Sequence, residues 1–329
     1  MLTQLLDHGL KYAPEFDGGL SNHLPMALVA LDRLGASPDR LTGFAVEYEQ
    51  RLELLAEPGL RDSGPLDDAW VHDLSTYAAY PRLQGHFLAS LKSVGRERVL
   101  RSALPQLLPG LAAASFHGLI RTAYAIESGH LPELAAGLAF WACRYAPLVA
   151  TLPPDGDESA SKWLADLASQ PLPSGSDEGL ILDRMRAVAA APAFGRAVGR
   201  LKMGPDVVAQ LASIAVDRYL ASNDFTVLHL MTSLHALRVL LAYVDDPVAA
   251  IRWYAPAFAA GIVASGVGLE SSAVQRLPRP WSDICAEAVR SDDDHLIKLV
   301  YTCRIEAAHY GTDCYQQAAT FAVQEGGWA

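Results

Sequence analysis

The sequence predicts an all-α fold: a single large multi-helix domain of two loosely similar helical halves around a central pocket. Three observations predict it. Apolar residues recur at helical spacing nearly throughout, runs of alternating β-branched residues are almost absent, and Gly, Pro and small polar residues punctuate the chain often. With 329 residues, 51% hydrophobic and 19% charged, the chain can bury a large core. Residues 1–329 are expected to form one domain.

In chain order, Leu28, Leu31 and Leu34 line a helix that Gly35 closes, and Pro105 and Pro109 are expected to bracket a turn. Ile120, Ala123, Tyr124 and Ile126 line a second helix, ended by Gly129. Residues 152–179, with Pro153-Pro154-Asp155-Gly156-Asp157 and the run Pro171 to Gly179 flanking an amphipathic piece at Trp163 and Leu167, read as a connector or surface excursion between the halves. Leu234, Leu237, Leu240 and Leu241 line a further helix, and Pro247 opens another after Asp245-Asp246. The uncharged stretch Trp253 to Leu269 holds Pro256, Gly261, Gly266 and Gly268 and is too short to span a bilayer comfortably, so a buried helical hairpin is expected. Ser21, Ser115 and Asp294 are the expected N-caps near the histidine segments.

The formal charge of −11 repels phosphate backbones, so nucleic acid and anionic membrane surfaces are set aside as partners. Cys143, Cys285, Cys303 and Cys314 form no C-x-x-C pair, and the N-terminus lacks a basic region followed by an apolar one. A reducing, cytoplasmic setting is the expectation. The oligomeric state cannot be read from the sequence.

Four histidines stand at the entrance to apolar helical segments: His23, His117, His229 and His295. Each half contributes two, and each segment runs small or polar residue, His, then an apolar stretch. Neutral imidazole ligates iron, zinc, copper or nickel, and helices entering one core could gather ligands from distant segments. The alternative for any single one is a cap or a hydrogen-bonded core histidine. The metal-binding pattern H-E-x-x-H does not occur.

Within a helix the residue at His+3 or His+4 shares a face with the imidazole. His117, Arg121 and Tyr124 would form one stripe, and Thr232 and Lys298 would neighbour His229 and His295. Arg121 reads equally as an anion-steadying group or a structural salt bridge. Lys298 either carries its amine to the surface on its long stem or points inward. An inward ammonium would oppose a metal, whereas a neutral amine or a lysine carbamate would favour one. His86 is a reserve candidate at a helix opening; His235 falls on the far face of the His229 helix, His309 lies well beyond His295, and His8, His72 and His130 have polar surroundings. No G-x-S-x-G, P-loop or strand-linked G-x-G-x-x-G is present.

At the same segments the chain resembles the questin oxidase family. The resemblance rests on Asn22-His23-Leu24-Pro25-Met26-Ala27-Leu28 continuing to Gly35-Ala36, on Phe116-His117-Gly118-Leu119-Ile120-Arg121, on His229 to Thr232 and on Asp293 to Lys298. It implies an oxygen-dependent oxidoreductase of aromatic polyketides, with oxygen insertion into, or cleavage of, a quinone ring at a non-haem iron site built from histidines. His23, His117, His229 and His295 then become the metal ligands, with Lys298 a further ligand or neighbour, and Arg121, Tyr124 and Thr232 the catalytic candidates. Fe(II), dioxygen and a small phenolic or quinone substrate are the implied partners. Two alternatives stay open: an NADPH-assisted Baeyer–Villiger-like monooxygenase without metal, and a non-catalytic helical ligand-binding protein.

Overall fold

In a computed structural model, residues 1–56, 68–174, 179–268 and 276–326 are described. The chain is 72% helical, with sixteen α-helices and one two-stranded sheet among the described residues. In order these are α1 (Leu2–Gly9), β1 (Glu15–Phe16), β2 (Leu20–Ser21), α2 (Leu24–Leu34), α3 (Pro38–Tyr48), α4 (Tyr80–Val94), α5 (Arg96–Leu107), α6 (His117–Ser128), α7 (Leu131–Cys143) and α8 (Ala160–Ala168). There follow α9 (Ile181–Ala190), α10 (Pro192–Ala197), α11 (Val207–Ser222), α12 (Phe225–Leu240), α13 (Pro247–Ser265), α14 (Trp281–Arg290), α15 (Asp294–Tyr310) and α16 (Cys314–Glu325). One continuous apolar core runs from Leu6 to Ala322 and takes in residues from nearly every helix, as an all-α single domain requires.

Four helices build the centre. α2 packs on α6, α6 on α12, α12 on α15, and α15 back on α2. Two precede the connector and two follow it, and each starts beside the same chamber. α2 is buried on all sides from Leu24 to Leu31, because α3, α6, α14 and α15 surround it.

Helix ends follow the local chemistry. Gly35 and Gly129 close α2 and α6 with positive φ, a backbone region that glycine enters without a Cβ clash. Asp246 caps α13 through the Ala249 N–H and Asp224 caps α12 through that of Val227.

Several local expectations are corrected. Pro105 lies inside α5 rather than in a turn; near a helix end it removes only one backbone bond. Trp253 to Ser265 continues one helix through Pro256 instead of folding into a hairpin, and Leu269 lies outside the described residues. Gly261 is where Leu230 of α12 comes close, since a Cβ there would stand 2.8 Å from a Leu230 methyl. Phe225–Tyr243 and Pro247–Ser265 are long and apolar enough to cross a membrane, yet 72% of each window is buried inside the fold, as in core helices.

The connector carries a packed helix on an otherwise largely exposed stretch. Its helix α8 packs on α10, α11 and α13, with Trp163 wholly buried and its indole N–H donating to the Ala197 carbonyl at 3.1 Å. Residues 175–178 of it lie outside the described residues.

None of the expected caps acts as one. The N-cap positions are His23 for α2, Phe116 for α6 and Asp293 for α15. Asp293 accepts from the His295 and Leu296 N–H groups, which leaves Asp294 free to turn inward.

Candidate metal centre

The structure brings His23, His117, His229 and His295 together. Their rings form a closed circuit: 4.5 Å between the His23 and His117 centroids, 5.1 Å from His117 to His229, 5.5 Å from His229 to His295 and 4.7 Å from His295 to His23. With metal–nitrogen bonds of about 2.1 Å, imidazoles around one ion have centroids roughly 4.5–5 Å apart. His23 stands at that spacing from His117 and His295, while His229 lies further off, 5.1 and 5.5 Å from its two neighbours.

Three of the rings have Nδ1 hydrogen-bonded to an acceptor. His23 Nδ1 meets Asp294 Oδ1 at 2.7 Å, His117 Nδ1 the Ala114 carbonyl at 2.5 Å and His229 Nδ1 the Phe225 carbonyl at 2.8 Å. His295 Nδ1 lies 3.1 Å from the same Asp294 oxygen. These partners place the proton on Nδ1 and leave the Nε2 lone pair free, the arrangement that orients metal-binding histidines elsewhere. His23 Nε2 and His117 Nε2 then face one another at 2.7 Å. Two lone pairs at that distance repel unless a proton or a metal ion is shared between them.

Burial is the main reason that all four imidazoles are hard to protonate. It holds His23 below its ordinary value and His117 and His295 well below it, with Lys298 adding to the effect, and it lowers His229 to about 3. The rings stay neutral and ligand-competent near neutral pH.

Asp294 is the hub. Burial would raise its carboxyl, but His23, His295 and Lys298 together hold it well below the carboxylate range. Lys298 Nζ lies 3.4 Å from its Oδ1, so Lys298 does point inward and its charge has a partner. Burial lowers the amine while Asp294 opposes that shift. Donor atoms of His23, Asp294 and His295 also lie within 4.8 Å of one another, a carboxylate–imidazole set suited to a divalent ion. Because Asp294 already receives His23 Nδ1, its role is to orient that ring.

The turn before α6 is strained. Ala114, Ser115 and Phe116 all have positive φ, at 47°, 57° and 71°, an arrangement that costs L-residues about 1–2 kcal/mol each. It drops the Ala114 carbonyl onto His117 Nδ1. Gly118 follows because α7 crosses there: a Cβ would stand 2.7 Å from Trp141 Cα.

Beside the centre lies a chamber of about 660 Å³ whose lining includes His23, His117, His229, Asp294 and His295. Phe225 packs edge-on against His229 and His295, 4.7 Å from each. Tyr48 accepts the His23 backbone N–H at 3.1 Å. Burial and Asp294 push its phenol well above the ordinary tyrosine range. The hairpin β1–β2 and the first turns of α9 complete the wall.

A family described as questin oxidase-like matches residues 20–221 and 205–303. The chain belongs to the questin oxidase-like family. Membership implies an oxidoreductase of the oxygenase type. No curated protein matches the chain.

Three of the side chains that spacing placed beside the histidines of this questin oxidase-like protein do not line its chamber. Arg121 is buried in a two-bond pair with Glu133, Nε to Oε1 at 2.5 Å and a terminal nitrogen to Oε2 at 3.0 Å. Tyr124 donates to the Lys298 carbonyl at 3.3 Å, and Thr232 back-bonds to the Leu228 and His229 carbonyls. For Arg121 and Tyr124 the reason is positional: His117 is the first residue of its helix, so its ring swings off the helix end and the i, i+4 face rule does not govern it, whereas Thr232 lies inside α12 with His229 and spends its hydroxyl on the helix backbone.

His86 sits in the middle of α4, away from the chamber, and His130 caps α7 through the Glu133 N–H. Spacing missed Asp294, Tyr48, Phe225 and Arg51. Only Asp294 left a signal: two successive acids precede His295 where one cap suffices.

Proposed function

We propose that this protein is a non-haem iron oxygenase acting on a phenolic or quinone substrate of the aromatic polyketide type. The observation that carries the reading is the cluster of four imidazoles, of which His23, His117 and His229 have Nδ1 engaged and His23 and His117 turn Nε2 toward each other. His23, His117, His229 and His295 would hold the ion, with Asp294 fixing two of the rings. When bound, a ferrous ion supplies the dioxygen-activating chemistry that the side chains lack.

The remaining work falls to this chain's own residues. The chamber has room for a fused aromatic ring system, which Phe225, Ile181 and Leu182 can flank with apolar surface. Tyr48 keeps its proton and holds the entrance of α2 through the His23 N–H, so His23 cannot drift from His117. Lys298 balances the Asp294 charge in a site where water would otherwise be needed. A Lys298 carbamate would instead offer an anionic oxygen, and metal loading that depends on bicarbonate would reveal it.

The test is elemental analysis of anaerobically purified protein with the His23→Ala and His295→Ala variants. Oxygen uptake is then followed on hydroxyanthraquinones, with and without NADPH. Near-stoichiometric iron that both variants lose, with NADPH-independent uptake, is the expected result. Protein that takes up no metal even on reconstitution, yet consumes NADPH with a quinone, would overturn it.

A further inference from the structure

With a net charge of −11, the protein repels anions at long range, so a chamber that accepts one needs a local cation. Arg51, Arg144, Arg184 and Arg186 line it. Arg144 is engaged by both oxygens of Glu15, Arg186 lies 3.5 Å from Asp183, and Arg184 donates to Thr226 Oγ1 at 3.2 Å. Arg51 differs from these three. It is exposed and makes no ion pair among the described residues, and its guanidinium carbon lies 4.3 Å from the centroid of the Tyr48 ring. Tyr48 in turn touches the backbone of His23, so Arg51 sits one side chain away from the imidazole circuit.

We propose that Arg51 docks an anionic oxygen of an aromatic ligand, a carboxylate or an ionised phenol, and thereby sets which end of that ligand faces the imidazoles. The contact deepens the oxygenase reading by naming a charge on its substrate. A guanidinium offers a planar fork of donors that matches two oxygens at once. Stacking on Tyr48 restricts the otherwise flexible side chain before the ligand arrives, which lowers the ordering cost of binding. Arg121, the arginine next to the histidines in sequence, is held by Glu133 through two of its nitrogens and does not line the chamber. The cation offered here, Arg51, comes from the segment after α3.

The experiment is anaerobic calorimetric titration of the protein as purified, with metal content measured on the same sample. The probes are an anthraquinone carboxylate, its neutral hydroxymethyl counterpart, and a hydroxyanthraquinone below and above its own ionisation. An anion preference of about tenfold is expected in the unsubstituted protein. Arg51→Met should abolish it without weakening the neutral ligand, Arg51→Lys should keep part of it, and Arg186→Gln should leave it intact. Preference for the carboxylate or for the ionised phenol names the anion. Equal affinities for charged and neutral probes, a preference that survives Arg51→Met, or equal loss of both ligands in that variant would overturn the docking role. Protein that takes up no metal even on reconstitution, yet still shows the Arg51-dependent preference, would overturn the oxygenase reading alone.

Discussion

At the scale of single residues, the two acids before His295 divide the labour, and substitutions should separate them. Asp293 caps α15 with one oxygen, a task that asparagine performs about as well. Asp293→Asn should keep the α15 cap and disturb metal content far less than a change at Asp294. Asp294 receives His23 Nδ1 and pairs with Lys298, so Asp294→Asn removes the charge that orients the ring and strands a buried ammonium. Metal affinity should fall roughly 10–100-fold, read by competition with a chelator of known strength; an unchanged affinity would show that Asp294 is incidental. Arg121 makes the opposite case. Its two-bond pair with Glu133 is buried at both ends, and Arg121→Met should cost about 3–5 kcal/mol in denaturant unfolding with iron content intact. Loss of activity at full stability would instead restore Arg121 to the chemistry. The four imidazoles were legible because a polar, nitrogen-bearing side chain recurs where an apolar helix begins. Tyr48 and Arg51 were not, since no spacing rule links the end of α3 to His23.

At the scale of elements, helices could be read from apolar period and from Gly or Pro punctuation, and Gly35, Gly129 and Pro247 stand where that reading placed them. Prolines inside helices could not. Pro105 and Pro256 are tolerated because packing of α5 and α13 outweighs one missing backbone bond, and packing is invisible in a linear pattern. The left-handed turn Ala114-Ser115-Phe116 is equally hidden, because none of its residues is a glycine or an asparagine that would announce positive φ. That turn fixes His117 only if α6 stays seated on α7, and Gly118 is what lets it sit there. Gly118→Ala places a methyl against Trp141, backbone included, so the helices must part. The expected cost is about 1–3 kcal/mol in thermal or denaturant unfolding, with weaker metal binding because His117 moves with its helix. A variant with wild-type stability and metal content would show that the crossing relaxes freely.

At the scale of the whole molecule, the four helices that meet at the chamber are also tied further along their length. His235 of α12 is fully buried between Glu306 of α15, 2.6 Å from Nδ1, and Glu127 of α6, 3.2 Å from Nε2, and Arg238 pairs with Glu306. Burial alone would lower this imidazole, but the two glutamates raise it to about 9. The site histidines are shifted the other way, so the metal-free protein has two opposed pH limbs. For His23, His117, His229 and His295 the unfolded chain binds more protons once pH falls below about 6.5, so stability declines toward acid. For His235 the folded state holds its proton longer. Its contribution is full below about 6.5 and is lost as pH rises through about 9. Melting temperature of metal-free protein should therefore peak near neutrality. Bound metal should displace the acid limb to lower pH, because protons and metal compete for the same Nε2 atoms. His235→Asn should flatten the slope between neutrality and about pH 9 while the acid limb remains. An alkaline slope that persists in this variant would place the titrating group elsewhere and remove His235 as the clamp between α6, α12 and α15.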